Sequence, residues 1–137
     1  MSLKIMLAIS DHWVCDARID ALATWTLKLE REVLCVHVAP GGLQPEHIET
    51  PGEKVLKEIT ARIAKMNPNV QSLLLFATDI AEALNKTIGE HRVSLLVMGL
   101  SRQGLLERLI EGNIPRAIFA QCQIPILALP ANWDGVI

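Results

Sequence analysis

This sequence has no surplus of charge of one sign. Its 13 Lys and Arg stand against 15 Asp and Glu, a net charge of −2, with a pI near 6.1. The broad basic face that nucleic acid or an anionic bilayer requires is therefore not expected. Long apolar runs are missing too: they reach about seven residues, where a membrane span needs about 20. No secretory leader is expected, because Lys4 is followed by Asp11 and His12 before an apolar region can develop. The three cysteines, Cys15, Cys35 and Cys122, are too few and too odd for a disulfide framework. They read as thiols kept in a reducing cytoplasm. His12-x-x-Cys15 has no second pair at ligand spacing to complete a zinc site. Ser101 lacks the G-x-S-x-G elbow and an identifiable His or Asp partner. No internal repeat or low-complexity segment occurs.

What the chain has in quantity is hydrophobic residues, 50% of 137, with a mean hydropathy of +0.31. The length suits one domain, residues 1–137. The apolar excess predicts a sheet covered on both faces, with further surface given to a partner. The organising stretch is Val93 to Pro130. An apolar run ends at Met98-Gly99, a basic glycine-containing loop follows, Gly112-Asn113 opens a short helix from about Ile114 to Gln121, and a second apolar run begins at Ile124. Such a strand–loop–helix–strand unit sets a loop and a helix N-terminus at the carboxyl end of a strand, a natural anion site.

The remaining pattern is consistent with that unit. Continuous apolar runs predict parallel strands near 3–10, 32–39, 70–77, 93–99 and 124–129. Trp13 to about Arg31 is helical, with Cys15, Ile19, Leu22, Thr26 and Leu29 on its apolar stripe and Asp16, Asp20 and Lys28 opposite. Thr50-Pro51-Gly52-Glu53 opens a second helix as cap, first turn and capping box, with Leu56, Ile59, Ile63 and Met66 inward and Asn67-Pro68-Asn69 as the stop. Asp79, with Glu82 three residues on, opens a third helix lined by Ile80, Leu84 and Ile88. The order β-α-β-α-β-α-β-α-β and right-handed crossovers predict a parallel α/β sheet with helices on both faces.

Five pieces in register resemble the universal stress protein family, UspA-like, along nearly the whole chain. They are Lys4-Ile5-Met6-Leu7-Ala8-Ile9, Val36-His37-Val38, Thr78-Asp79-Ile80-Ala81-Glu82, Leu96-Val97-Met98-Gly99 and Ile124-Pro125-Ile126-Leu127. The resemblance implies an open five-stranded parallel sheet of order 3-2-1-4-5, of the adenine nucleotide alpha hydrolase-like, Rossmann-like kind. It also implies a cytoplasmic stress-response role and a homodimer formed through the fifth strand. Many members bind ATP with magnesium through a glycine-rich loop. Gly99 and Gly112 match two of its glycines. Arg102 stands in place of another, Asn113 replaces a serine or threonine, and Ser10-Asp11 offsets by one residue the aspartate that follows the first strand in ATP-binding members.

If an adenine nucleotide binds, its expected neighbours are Ile9, Ser10, Asp11, Val38, Met98, Gly99, Arg102, Gly112, Asn113 and Ile114. The adenine is expected near Ile9 and Val38, and the phosphates on the loop from Gly99 to Asn113. Arg102 adds bulk where the backbone approaches phosphate, or brings a guanidinium to it. Two functions follow. The first is a dimeric binding or signalling module with a degenerate nucleotide loop. The second is an ATP-binding switch with at most slow hydrolysis. No catalytic residue, metal ligand, nucleic acid or membrane partner is expected. His37 reads as a packed strand histidine.

Overall fold

The computed structural model describes residues 3–9, 16–39, 50–99, 118 and 120–129. Five strands, β1 (Lys4–Ala8), β2 (Glu32–Ala39), β3 (Val70–Phe76), β4 (Leu95–Gly99) and β5 (Ile126–Leu129), alternate with α1 (Asp16–Lys28), α2 (Pro51–Ala64) and α3 (Ile80–His91). The sheet is parallel in every pairing and runs β3-β2-β1-β4-β5, the predicted order. Within the predicted fourth helix, Ile118, Ala120 and Gln121 are helical, and the Cys122 amide donates to the Ile118 carbonyl at 2.8 Å.

Strand alternation divides the core in two. Ile5, Leu7, Ile9, Val33, Cys35 and Val97 face Ile19, Leu22 and Ala23 of α1 and Leu56, Ile59 and Ile63 of α2. Met6, Leu34, Val36, Val38, Leu96 and Met98 face Ala81, Leu84 and Ile88 of α3, together with Ile118. A strand buried on both faces has no polar side to show, which explains the unbroken apolar runs.

Two inward positions predicted from helical spacing are wrong. Leu29 is 41% exposed and Met66 40%. Leu29 lies past the end of α1, where Glu30 turns left-handed at φ 53. There the amide of Glu30 donates to Leu27 and that of Arg31 to Thr26, a Schellman closure with a non-glycine residue at its turn. Helix α2 likewise ends at Ala64, two residues before Met66. The place expected for Met66 goes to Asn67, 1% exposed. Its amide nitrogen donates to the Thr26 hydroxyl at 3.2 Å, and its oxygen accepts from the Asn69 amide at 3.0 Å. The helix stop is therefore also a buried polar staple between α1 and the turn into β3.

The predicted caps form. The Thr50 hydroxyl accepts from the Glu53 amide at 3.2 Å, and the Asp79 carboxylate from the Glu82 amide at 3.0 Å. On the surface, Arg62 of α2 grips Asp20 of α1 through two bonds of 2.8 and 3.0 Å. That hydrogen-bonded guanidinium holds the Asp20 carboxyl below its ordinary range. The strands are shorter than predicted at several ends. Val93 closes α3, its amide donating to the Ile88 carbonyl, before β4 begins; Pro125, which has no N–H to give, precedes β5 and accepts from the Leu96 amide.

Candidate functional site

The chain order and the strand order together define one crevice. From β1 the chain moves outward through β2 to β3, then returns across the other face to β4 and β5. The reversal lies between β1 and β4, and in open α/β sheets the carboxyl end of that pair is where ligands settle. Ala8 pairs with Val36 on one side and Met98 on the other. Ile9 and Gly99 therefore stand one step beyond this level, and Val38 two.

Four of the predicted ligand neighbours, Ile9, Val38, Met98 and Gly99, thus share one edge. They do not all share a face. The Ile9 side chain packs on the α1–α2 side, whereas Val38 and Met98 pack on the α3 side. Ser10, Asp11, Arg102, Gly112, Asn113 and Ile114 lie outside the described residues, as do His12, Cys15 and Ser101.

One arrangement at this edge was not read from the sequence. His37 is a buried residue of β2, 8% exposed, on the face shared with Cys35. Its Nδ1 lies 2.7 Å from the Ile9 carbonyl oxygen. A carbonyl can only accept, so Nδ1 carries the proton and donates. The Ile9 amide in turn donates to the Val36 carbonyl at 2.8 Å. Both backbone groups of Ile9 are therefore held by β2. The opposite edge of the imidazole lies against Gly52 in the first turn of α2, where a Cβ would fall 2.0 Å from Nε2. Gly52 is required for that close approach, not for its own backbone angle. The available signals were a lone histidine inside an aliphatic run and a glycine directly after the helix-opening proline.

Other chemistry is sparse among the described residues. Burial pushes the Cys35 thiol up to about 12 despite a hydrogen bond with Thr60, so Cys35 is a packed, unreactive thiol. Cys122 is part-buried and donates weakly to the Ile124 carbonyl. No group of three His, Cys, Asp or Glu among the described residues could hold a metal. None of their helices is long and apolar enough to cross a membrane. A hollow of about 140 Å³, lined by Lys4, Glu32, Pro68, Asn69 and Gln71 among others, opens at the amino end of the strands. That is the wrong end of the sheet for the crevice. A second, of about 10 Å³ between α1 and the sheet, is walled mainly by Ile5, Leu22, Trp25 and Ile63. It is apolar and barely the size of a water, so it is expected to stay dry.

Comparison with curated proteins by sequence finds no match. Comparison of folds finds universal stress proteins. That of Archaeoglobus fulgidus superposes with a TM-score of 0.73 at 19% identity, over 93% of this chain and 98% of its own. The Archaeoglobus fulgidus protein in complex with dAMP gives 0.70 at 18%, over 92% and 96%. A family member from Arabidopsis thaliana with AMP bound gives 0.63 at 17%, over 95% and 92%. At these identities the likeness speaks for the fold alone. The sequence supplies the rest, since residues 4–130 match the profile of the Universal stress protein family. On that match, which spans nearly the whole sequence, the chain belongs to the universal stress protein family.

Proposed function

We propose that this chain is a dimeric stress-response module of the cytoplasm that takes an adenine nucleotide at the carboxyl edge of β1, β2 and β4, and that it acts by binding rather than by catalysis. The observation that carries this reading is the crevice at the β1–β4 reversal, in the fold shared with relatives solved with dAMP and AMP. The adenine would lie by Ile9 and Val38. The phosphates would run from Gly99 toward the segment that holds Arg102, Gly112 and Asn113, where the N–H groups of the predicted fourth helix would favour an anion. Ser10, Asp11, Met98 and Ile114 complete the proposed surroundings. ATP with magnesium is the ligand to test first.

Arg102 stands in the sequence in place of a glycine of the family's loop, and we take its side chain as an obstruction to the approach of backbone to phosphate. Titration calorimetry with ATP and magnesium is expected to show weak binding by the wild type. Binding should be about tenfold tighter, about 1.4 kcal/mol, in Arg102→Gly. A fall in affinity worth about 1.5–3 kcal/mol would instead make Arg102 a recruited phosphate ligand. No heat from either protein would remove the nucleotide and leave the dimeric module.

The dimer is proposed through β5. This strand is bonded to β4 along one side and ends the sheet, and an edge strand left open invites pairing. Sedimentation equilibrium at micromolar concentration should return about twice the 15.1 kDa chain mass. A clean monomer would reject it.

A further inference from the structure

We propose that His37 is the positioning residue of the ligand edge: its Nδ1–H, wedged in place by Gly52, fixes the backbone where the chain leaves β1. The proposal rests on the nucleotide-binding reading above and names the group on which that site's geometry depends.

The argument begins with the strand end. β1 stops at Ala8, so Ile9 lies past the last ladder residue, where a chain normally begins to fray. Here it does not, because β2 takes both of its backbone groups: the amide through Val36 and the carbonyl through His37. The second bond comes from a side chain, so it needs a ring held at one angle. Three contacts supply that angle. His37 is fixed by its place in β2 between Val36 and Val38; its Nδ1 is fixed by the Ile9 oxygen; and its far edge abuts the bare Cα of Gly52, where three ring atoms would lie within 2.0–2.7 Å of any Cβ. Neighbouring strand positions carry aliphatic side chains, which would satisfy packing alone. A buried histidine at this point, aimed at a carbonyl that the sheet leaves over, is explained by the bond it makes. The residues that follow Ile9 in the sequence are Ser10 and Asp11, so the direction in which Ile9 leaves the sheet sets where that segment starts.

The test separates the hydrogen bond from packing. Asparagine carries an N–H donor close to the Nδ1 position, and leucine fills similar space without one. Affinity for AMP and for ATP with magnesium is measured by calorimetry on wild type, His37→Asn and His37→Leu, beside the melting temperature of each. Loss of a bond that orients a binding edge is expected to weaken binding about tenfold in His37→Leu. His37→Asn should stay within about threefold of wild type. Equal affinity in wild type and His37→Leu overturns the proposal, as does an equal loss in both variants. Should His37→Leu fail to fold, His37→Gln serves in its place, because its amide falls nearer the Nε2 position and misses the Ile9 oxygen.

Nuclear magnetic resonance gives a readout that does not depend on the nucleotide. At alkaline pH, Nδ1 should appear as the protonated ring nitrogen. The Ile9 carbonyl carbon should shift in His37→Leu and return toward its wild-type position in His37→Asn. An unprotonated Nδ1, or an Ile9 signal indifferent to both changes, overturns the proposal. If no nucleotide binds the wild type, the nucleotide reading and the ligand half of this proposal fall together, and the same spectra decide whether His37 holds the strand end.

Discussion

Replacing Leu96 with alanine is expected to lower stability by about 3–4 kcal/mol, in the upper part of the range for buried leucines. Leu96 is wholly buried, 0% exposed. It sits on β4 between Met6 of β1 and Ile126 of β5, in the cluster capped by α3. The backbone around it is bonded on both sides, so the walls of the cavity have little freedom to close in. For a chain of this size the melting temperature should drop by roughly 10–15 °C, and urea unfolding should show a lower midpoint at an unchanged slope. The exposed Leu3→Ala is the control and should cost less than about 0.5 kcal/mol. A Leu96→Ala loss below about 1.5 kcal/mol would mean that the layer between the sheet and α3 repacks around the missing atoms.

Gly52→Ala is expected to destabilise by about 2–3 kcal/mol, the cost of forcing atoms into a filled space. The sign is informative, because a glycine-to-alanine change inside a helix ordinarily gains up to about 1 kcal/mol. Here the added carbon meets Nε2, Cε1 and Cδ2 of His37. The ring cannot swing away without breaking its bond to Ile9. A double-mutant cycle isolates the clash: with His37→Ala present, Gly52→Ala should become nearly neutral, leaving a coupling of about 2–3 kcal/mol. If both single changes simply add, the contact is not the reason for the glycine.

The sheet was legible because strands buried on both faces must be apolar throughout, and runs such as Ile5–Ile9 and Leu95–Met98 have no other simple reading. The inward faces of α2 and α3 were legible from spacing, and both caps from Thr50 and Asp79. What escaped was decided by a helix end without a sequence signal and by non-local contacts. Leu29 was misplaced because α1 ends on Glu30 in a left-handed turn, where glycine would have given a visible signal and glutamate gives none. Met66 was misplaced because Asn67 took the inward place, held by the Asn69 amide two residues on and by Thr26, which only the folded chain brings near. The carboxyl edge at which the site is proposed was legible from Gly99 and the run before it, together with Ile9 and Val38. Its inner bracing was not, since His37 and Gly52 meet only after α2 folds back over the sheet, and no local pattern records that return.

The middle position of β1 also bears on how the chain is made. β1 is the first of the strands in chain order, yet its neighbours come from far apart: Ile5 lies beside Val33 on one flank and Leu95 on the other. On the ribosome, β1 and β2 can meet early through α1, but the second flank of β1 stays open until β2, α2, β3 and α3 have all been synthesised. Contacts so distant along the chain slow folding, and the loop that must close is long, although its entropy grows only slowly with length. During that interval the growing chain presents an apolar strand edge at what will become the centre of the protein. Nascent chains are therefore most exposed to mispairing and chaperone capture before β4 emerges.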